Sequence, residues 1–224
     1  MLRAVFFDLD ETLIDAAGCH HEASHRAFAK FGMDWDEALA RTGPMFGRRM
    51  REILRLRRDA LGVSEAAAPL EKLVALRESV YAGHFPNGVM LLPGAGEAMA
   101  SVQAHGALAA IVSSSTHDTI ERTLVHYGLS SLVKFVVGGD DVERGKPFPD
   151  CYEAAYRRVR SFAPVAKTDC LVVEDSSVGV TAAIAAGLPV CLVPLYPLAE
   201  DVRPAYTLTS LTEFPTLVAR LAND

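Results

Sequence analysis

No run of the sequence approaches the ~18 consecutive apolar residues that a membrane-spanning helix needs, although half of its 224 residues are hydrophobic. That apolar content is expected to fill a core. Cysteine is scarce: Cys19, Cys151, Cys170 and Cys191 lie far apart with no CxxC pair, so neither a zinc site nor a disulfide framework is indicated. Reduced thiols are the expectation. No signal-type apolar stretch precedes the first strand, so the reading is a soluble, cytoplasmic chain. Positive charge is in short supply as well, with 22 Lys and Arg against 28 Asp and Glu and a net charge of -6. This argues against a generic nucleic-acid or anionic-membrane binder, and a small anionic ligand would need a local cation. Internal repeats and low-complexity tracts are also lacking.

What is present begins at Ala4-Val5-Phe6-Phe7-Asp8-Leu9-Asp10-Glu11-Thr12. Four apolar residues form a buried strand that releases onto two carboxylates one residue apart, with a hydroxyl two further on. In open α/β sheets ligands sit at the carboxyl ends of strands. Asp8 and Asp10 are thus placed either for chemistry or, more simply, to cap a turn.

From Ala16 to Met90 the spacing is helical, as at Phe46, Met50, Ile53, Leu54 and Leu61, and again at Leu70, Leu73, Val74, Val80 and Tyr81. Gly43-Pro44, Gly62 and Pro69 punctuate it, which predicts about four helices. From Leu92 onward helices alternate with short apolar strands. Helices are expected over Glu97 to His105, His117 to Tyr127, after Pro147, Val178 to Ala186 and Leu211 to Leu221. Strands are expected over Ala107 to Val112, Phe135 to Val137, Leu171 to Val173 and Val190 to Val193. Pro194, Pro197 and Pro204 mark a loop-rich approach to the last helix. This βα alternation predicts an α/β fold: a Rossmann-like parallel sheet with helices on both faces. Residues 1–15 and 91–224 would form that core, and residues 16–90 an inserted α-helical cap.

Three later stretches put polar groups at the same sheet edge. The strand ending at Val112 delivers Ser113-Ser114-Ser115, which suits an anion at a helix N-terminus and equally a serine N-cap. Arg144-Gly145-Lys146-Pro147-Phe148-Pro149-Asp150 fixes a loop around Lys146, which is either a solvated lysine or the missing cation. Leu171-Val172-Val173 delivers Glu174-Asp175, acids that could merely favour a following helix dipole or could join Asp8 and Asp10.

Together these stretches resemble the haloacid dehalogenase (HAD) superfamily over nearly the whole chain. Asp8-Leu9-Asp10-Glu11-Thr12-Leu13 matches its first motif, Ser113 its second, Lys146 in Gly-Lys-Pro-Phe-Pro-Asp its third and Glu174-Asp175-Ser176 its fourth. Leu92-Pro93-Gly94-Ala95-Gly96 and the segment from Ala182-Ala183 to Gly187 are similar to it as well. A helical insertion just after the first motif resembles the subgroup with β-phosphoglucomutase, phosphoglycolate phosphatase and sugar-phosphate phosphatases. Glu11 departs from that pattern, which usually has Gly there, and glycine permits an unusual backbone.

The resemblance implies a Mg²⁺-dependent phosphatase acting on a small phosphorylated metabolite, a sugar phosphate or a phosphoglycolate-like compound. Asp8 would attack phosphorus to form an aspartyl-phosphate, and Asp10 would act as general acid and then general base. Ser113 and Lys146 would stabilise the transferring group. Mg²⁺ would be held by Asp8, the Asp10 backbone carbonyl and Asp175, with Glu174 in support. Thr12, Ser114, His20 and Arg49 are candidate substrate contacts, and cap side chains such as His20, Phe46 and Arg49 would carry specificity. His20, His21 and His25 on one helix could equally be surface residues, and no zinc site is read from them without Cys or acids at ligand spacing.

A metal-free dehalogenase is disfavoured, because Asp10, Glu174 and Asp175 are all present. A phosphosugar mutase stays open, with Arg48, Arg49 and Arg51 as cap cations or, alternatively, as part of a solvated charged helix face through Arg58. A catalytically silent binding protein is the reading from another class. A monomer or weak homodimer is expected.

Overall fold

The structure, a computed structural model, describes residues 1–36, 45–85, 87–194 and 202–223. In its first half the elements are β1 (Ala4–Phe7), β2 (Ile14–Asp15), α1 (Ala17–Ala29), α2 (Met50–Ala60), α3 (Leu70–His84), β3 (Met90–Leu91), α4 (Ala95–Ala104) and β4 (Leu108–Val112). The second half contributes α5 (His117–His126), β5 (Phe135–Val137), α6 (Asp150–Arg160), β6 (Cys170–Glu174), α7 (Ser177–Ala185), β7 (Val190–Leu192), β8 (Tyr206–Thr207) and α8 (Phe214–Asn223).

β1 is apolar and buried throughout, as a strand covered on both faces must be. It pairs in parallel with β4 on one side and β6 on the other, Phe7 lying opposite Ile111 and Val173. β5, β7 and β8 extend the sheet to six strands in the order β5-β4-β1-β6-β7-β8, every pair parallel. Alternation along β1 sends Val5 and Phe7 into a cluster with Met99, Leu124 and Phe214 of α4, α5 and α8. Ala4 and Phe6 go the other way, into Tyr152, Val159 and Val180 of α6 and α7. The expected parallel sheet with helices on both faces is therefore what the chain forms.

Local chemistry sets the helix ends near the site. Thr116 accepts from the Thr119 amide to start α5, and Ser176 accepts from the Gly179 amide to start α7. Gly128 and Gly187, both at positive φ, follow their ends. The last helix begins as a short 3₁₀ turn, Leu211–Glu213, before α8. β8 was not expected, since two residues carry no period to read.

β2 and β3 form a separate two-stranded sheet, at which the chain leaves for an inserted segment and returns from it. These two strands pair antiparallel, Ile14 with Leu91, and Leu92 N–H donates to Leu13 O. The segment between them holds three helices among the described residues, against about four expected. Gly43-Pro44 and Pro197 lie outside those residues. Phe28, Trp35, Ile53, Leu54 and Leu73 give the three helices an apolar cluster of their own.

One expectation is corrected here. Arg57 and Arg58 do not lie on a solvated face; each is only 6% exposed. The Arg57 guanidinium lies over the Trp35 ring, and Arg58 donates to Asp59, to Glu65 and to the Ala68 carbonyl. A guanidinium with an aromatic face and several acceptors can be buried where a bare charge cannot.

Candidate active site

The carboxyl ends of β1, β4 and β6 meet where strand order turns about β1, the place such sheets bind ligands. Asp8 is the first residue past β1 and its N–H still donates to Val173 O, 2.9 Å away, so the sheet ladder holds its backbone. Lys146 reaches the same point from the loop before α6. Its Nζ donates to Asp8 Oδ1 at 2.6 Å, to Glu174 Oε1 at 2.5 Å and to Val112 O at 3.2 Å. All three ammonium hydrogens are used, and the side chain is 2% exposed. Burial opposes its charge, but Asp8 and Glu174 outweigh burial and hold the ammonium well above the ordinary lysine range. The solvated-lysine alternative is thereby set aside.

Glu174 is fully engaged. Oε1 accepts from Lys146 and, at 2.6 Å, from the Tyr152 hydroxyl, while Oε2 accepts from the Asp175 and Ser176 amides and from Ser176 Oγ. A carboxylate offers about four lone-pair sites, and these five donors already crowd them. Its place is to hold Lys146 and the turn into α7. Gly179 makes room for it, since a Cβ at that position would lie 2.0 Å from the Glu174 carboxylate.

Asp175 is different. Oδ1 accepts from Thr12 Oγ1 at 3.3 Å, while Oδ2 is buried with no partner among the described residues. Burial, with Glu174, Asp8 and Glu11 adding repulsion, pushes its carboxyl well above the usual range. Asp8 is pushed up to about 8, chiefly by burial, with Lys146 pulling the other way. Oxygens of Asp8, Glu174 and Asp175 lie within 4.8 Å of one another. One lysine cannot neutralise this cluster. An orphan carboxylate oxygen among crowded acids is what a hard, oxygen-seeking dication would satisfy, so the residues fit such an ion. Asp8 and Asp175 would ligate it directly.

Asp10 sits apart from that cluster and is bound as an anion should be. Ser115 Oγ donates to Oδ2 at 2.6 Å and His20 Nε2 lies 3.3 Å from Oδ1. Arg77 approaches His20 Nδ1, and since a guanidinium only donates, the imidazole hydrogen is on Nε2 and points at Asp10. Burial opposes ionisation of Asp10, but His20, Ser115 and Arg77 prevail and its pKa falls below the ordinary value. His20 also stacks on Tyr81 at 4.8 Å. A cavity of about 370 Å³ opens between the sheet edge and helices α1 to α3, reached by Asp8, Asp10, Ser113, Asp175, His20 and Arg77.

Other residues singled out in the sequence take different places. Ser113 lines the cavity, and its Oγ accepts from the Ser115 amide, so its own hydrogen is left to donate. Thr12 spends its hydrogen on Asp175, and Ser114 spends its own on Gly47 O at 2.8 Å. Arg49 donates to Val142 O at 2.8 Å and Glu143 O at 3.0 Å. These contacts hold parts of the site together, while Ser114 and Arg49 also line the cavity.

The sequence of motifs and this geometry agree with what the chain is related to. The family described as haloacid dehalogenase-like hydrolases matches residues 5–193. The chain belongs to that family. It is 35% identical to (DL)-glycerol-3-phosphatase 1, mitochondrial, of Arabidopsis thaliana over 194 residues, covering 85% of this chain and 63% of that protein. The chain thus spans less than two thirds of that relative's length. It is also 30% identical to the protein CbbY of Rhodobacter capsulatus over 204 residues, 86% of each chain. The crystal structure of CbbY from Rhodobacter sphaeroides in complex with phosphate superposes with a TM-score of 0.76 over 95% of this chain and 96% of that one, at 23% identity. That likeness is one of fold.

Within this HAD-like frame, Arg77, Tyr152 and Gly179 were not singled out from the sequence, and Ser115 was named only within its serine run, not as a partner of Asp10. Ser115 had a signal, as the third hydroxyl of a run at a strand end. Tyr152 reads as an ordinary core aromatic, and Arg77 lies 57 residues from the His20 it touches. Glu11 adopts φ 60 and is buried, so the left-handed backbone that the motif's usual glycine would supply is present with a carboxylate on it. Burial, with Asp10 next, pushes that carboxyl well above its usual range.

Proposed function

We propose that the chain is a Mg²⁺-dependent phosphatase that hydrolyses a small phosphomonoester through an aspartyl-phosphate on Asp8. The observation that carries this reading is the different surroundings of Asp8 and Asp10, two carboxylates with one residue between them. Asp8 faces Lys146 and the acids Glu174 and Asp175, while Asp10 is held by Ser115 and His20 on the cavity side.

Phosphomonoester hydrolysis is among the slowest uncatalysed reactions, with accelerations up to ~10²¹, so repulsion between nucleophile and phosphate must be removed first. A bound Mg²⁺ supplies charge neutralisation beside Asp8 and Asp175. Lys146 holds the nucleophile's Oδ1 and lends positive charge to the transferring group. Ser113 directs a hydroxyl at the same place. Asp10, protonated, gives its hydrogen to the leaving oxygen; as the anion it then takes a proton from the water that cleaves the acyl phosphate. The donors on Asp10 favour the anion, so the base half of the cycle is the resting arrangement. Helices α1 to α3 act as a cap that excludes water and selects the alcohol.

Likeness to a glycerol-3-phosphatase supports a small polyol or glycolate-type phosphate ester as substrate. The mutase alternative loses support from the cap cations, since Arg49 is committed to two carbonyls and Arg51 to Glu71. Phosphorus NMR of the purified protein with Mg²⁺ against a panel of phosphomonoesters decides among the readings, with β-glucose 1-phosphate and a bisphosphate primer included. Inorganic phosphate that needs both Mg²⁺ and Asp8 is expected, and Asp8→Asn should abolish it while the fold persists. Conversion of a 1-phosphate to a 6-phosphate would make the enzyme a mutase, and near-normal turnover by Asp8→Asn would end the nucleophile assignment.

A further inference from the structure

Among the described residues Glu11 is the one residue other than glycine at positive φ. For an L-residue that backbone is sterically costly, and strain held next to reacting groups is a reason to ask what it secures. Two bonds answer. Glu11 N–H donates to Ile14 O at 2.7 Å, closing the loop that follows Asp10. Its side chain turns the other way, and Oε1 accepts from the Ala16 amide at 3.2 Å.

That amide stands at the start of α1, where Ala16 offers no side-chain cap and the first turn has no acid. Glu11 therefore takes from five residues upstream the amide that a capping-box acid at N3 would take locally, next to Asp15, whose Oδ1 accepts from the Ala17 amide at 3.3 Å. One turn into α1 comes His20, whose Nε2 meets Asp10. The nucleophile loop, the helix start and the histidine form one closed circuit, Asp10 to Glu11 to Ala16 to His20 and back to Asp10.

We infer that Glu11 is a positioning residue, a strap that fixes the first turn of α1 against the Asp8–Asp10 loop so that His20 stays on Asp10. The inference rests on Asp10 being the acid and base of the proposed phosphatase. It is not a matter of charge: the amide needs an acceptor, which a glutamine oxygen provides equally well.

The test compares Glu11→Gly with Glu11→Gln in the full chain with Mg²⁺. Glycine relieves the positive φ and removes the acceptor, so the fold should survive while the strap is lost. Expected for Glu11→Gly is a kcat lowered about tenfold with KM within about threefold, and amide exchange at Ala16 and the first turn of α1 faster by about tenfold, the scale of losing one helix cap. Glu11→Gln should stay within about threefold of the parent in both readings. Glu11→Gly with parental kcat and parental exchange would overturn the strap, and so would Glu11→Gln behaving like Glu11→Gly, which would make the charge the cause. If the parent protein releases no phosphate from any ester, the phosphatase reading fails, and the exchange comparison still decides whether Glu11 holds α1.

Discussion

Single atoms decide the inner site. The Tyr152 hydroxyl donates to the Glu174 oxygen that also holds Lys146, and Nζ lies 5.1 Å from the Tyr152 ring centroid. Tyr152→Phe keeps the ring and removes one hydrogen bond to a buried carboxylate, a loss of about 1.5–3 kcal/mol for a bond to a charged group. Urea unfolding should report a drop of that size, with lower turnover because Lys146 loses a fixed partner. An unchanged stability would mean that Glu174 is held by its other donors alone. Gly179→Ala is harsher, since its Cβ would meet the Glu174 carboxylate at 2.0 Å. Displacing a charged group by about 1 Å beside the reacting atoms can cost 10²-fold in rate, and kcat should fall on that scale. The cysteines lie at the opposite extreme. Burial pushes Cys170 and Cys191 up to about 12 and Cys151 up to about 11. Since the thiolate is the reactive form, iodoacetamide at pH 8 should leave these three unmodified until the protein unfolds.

At the scale of elements, the segment from Gly47 to the start of α2 ties the cap to the sheet edge. Gly47 has φ 87 and packs so closely that a Cβ would lie 2.4 Å from Ser176 Oγ. Its carbonyl accepts from Ser114, and two residues on Arg49 spans to Val142 O and Glu143 O. These contacts join β4, the loop before Lys146 and the turn into α7 to one short stretch of cap. Arg49→Ala removes two hydrogen bonds of about 1 kcal/mol each in partly exposed surroundings, so closure should weaken and KM rise about tenfold with kcat changed less. Steady-state kinetics checks it, and a fall in kcat with KM unchanged would move Arg49 from closure to chemistry. This stretch also shows why parts of the fold could not be read directly. The strands were legible because runs such as Phe135–Val137 are apolar between turn signals. Arg57 and Arg58 were misread because an arginine looks solvated until its acceptors, 7 and 10 residues from Arg58, are seen to fold back on it.

For the whole molecule the consequence is a coupling of stability to pH and metal. Asp8 sits at about 8 in the fold against 3.8 for an unperturbed Asp, and Asp175 is raised as well. Between roughly pH 4 and 8 the folded chain without metal then binds more protons than the unfolded one, so its stability falls as pH rises. Lys146, raised above 10.5, contributes stability that persists through this window and is lost only at higher pH. A dication competes with those protons and binds only the fold. At 100 times its Kd it adds about 2.7 kcal/mol, which for a chain of this size is roughly 5–10 °C in Tm. Thermal melts should show that gain with Mg²⁺ at pH 8 and little of it at pH 5. Equal gains at both would mean that the acids are ionised without the metal.

Chemical type and chain order were set by the sequence alone. Buried strands ending on Asp8, Ser113 and Glu174-Asp175, and a lysine held by Gly145 and Pro147, follow from apolar runs that must be covered and polar residues that must not be. Partnership was decided only by the tertiary structure. Thr12, Ser114 and Arg49 turn to a carboxylate and to carbonyls 163, 67 and 93 to 94 residues away, while Tyr152 and Arg77 enter the site from elements that read as core and cap. Propensity and periodicity act over a few residues, but which acceptor lies nearest a given donor depends on how distant elements pack, and a hydrogen bond is made with whichever one arrives.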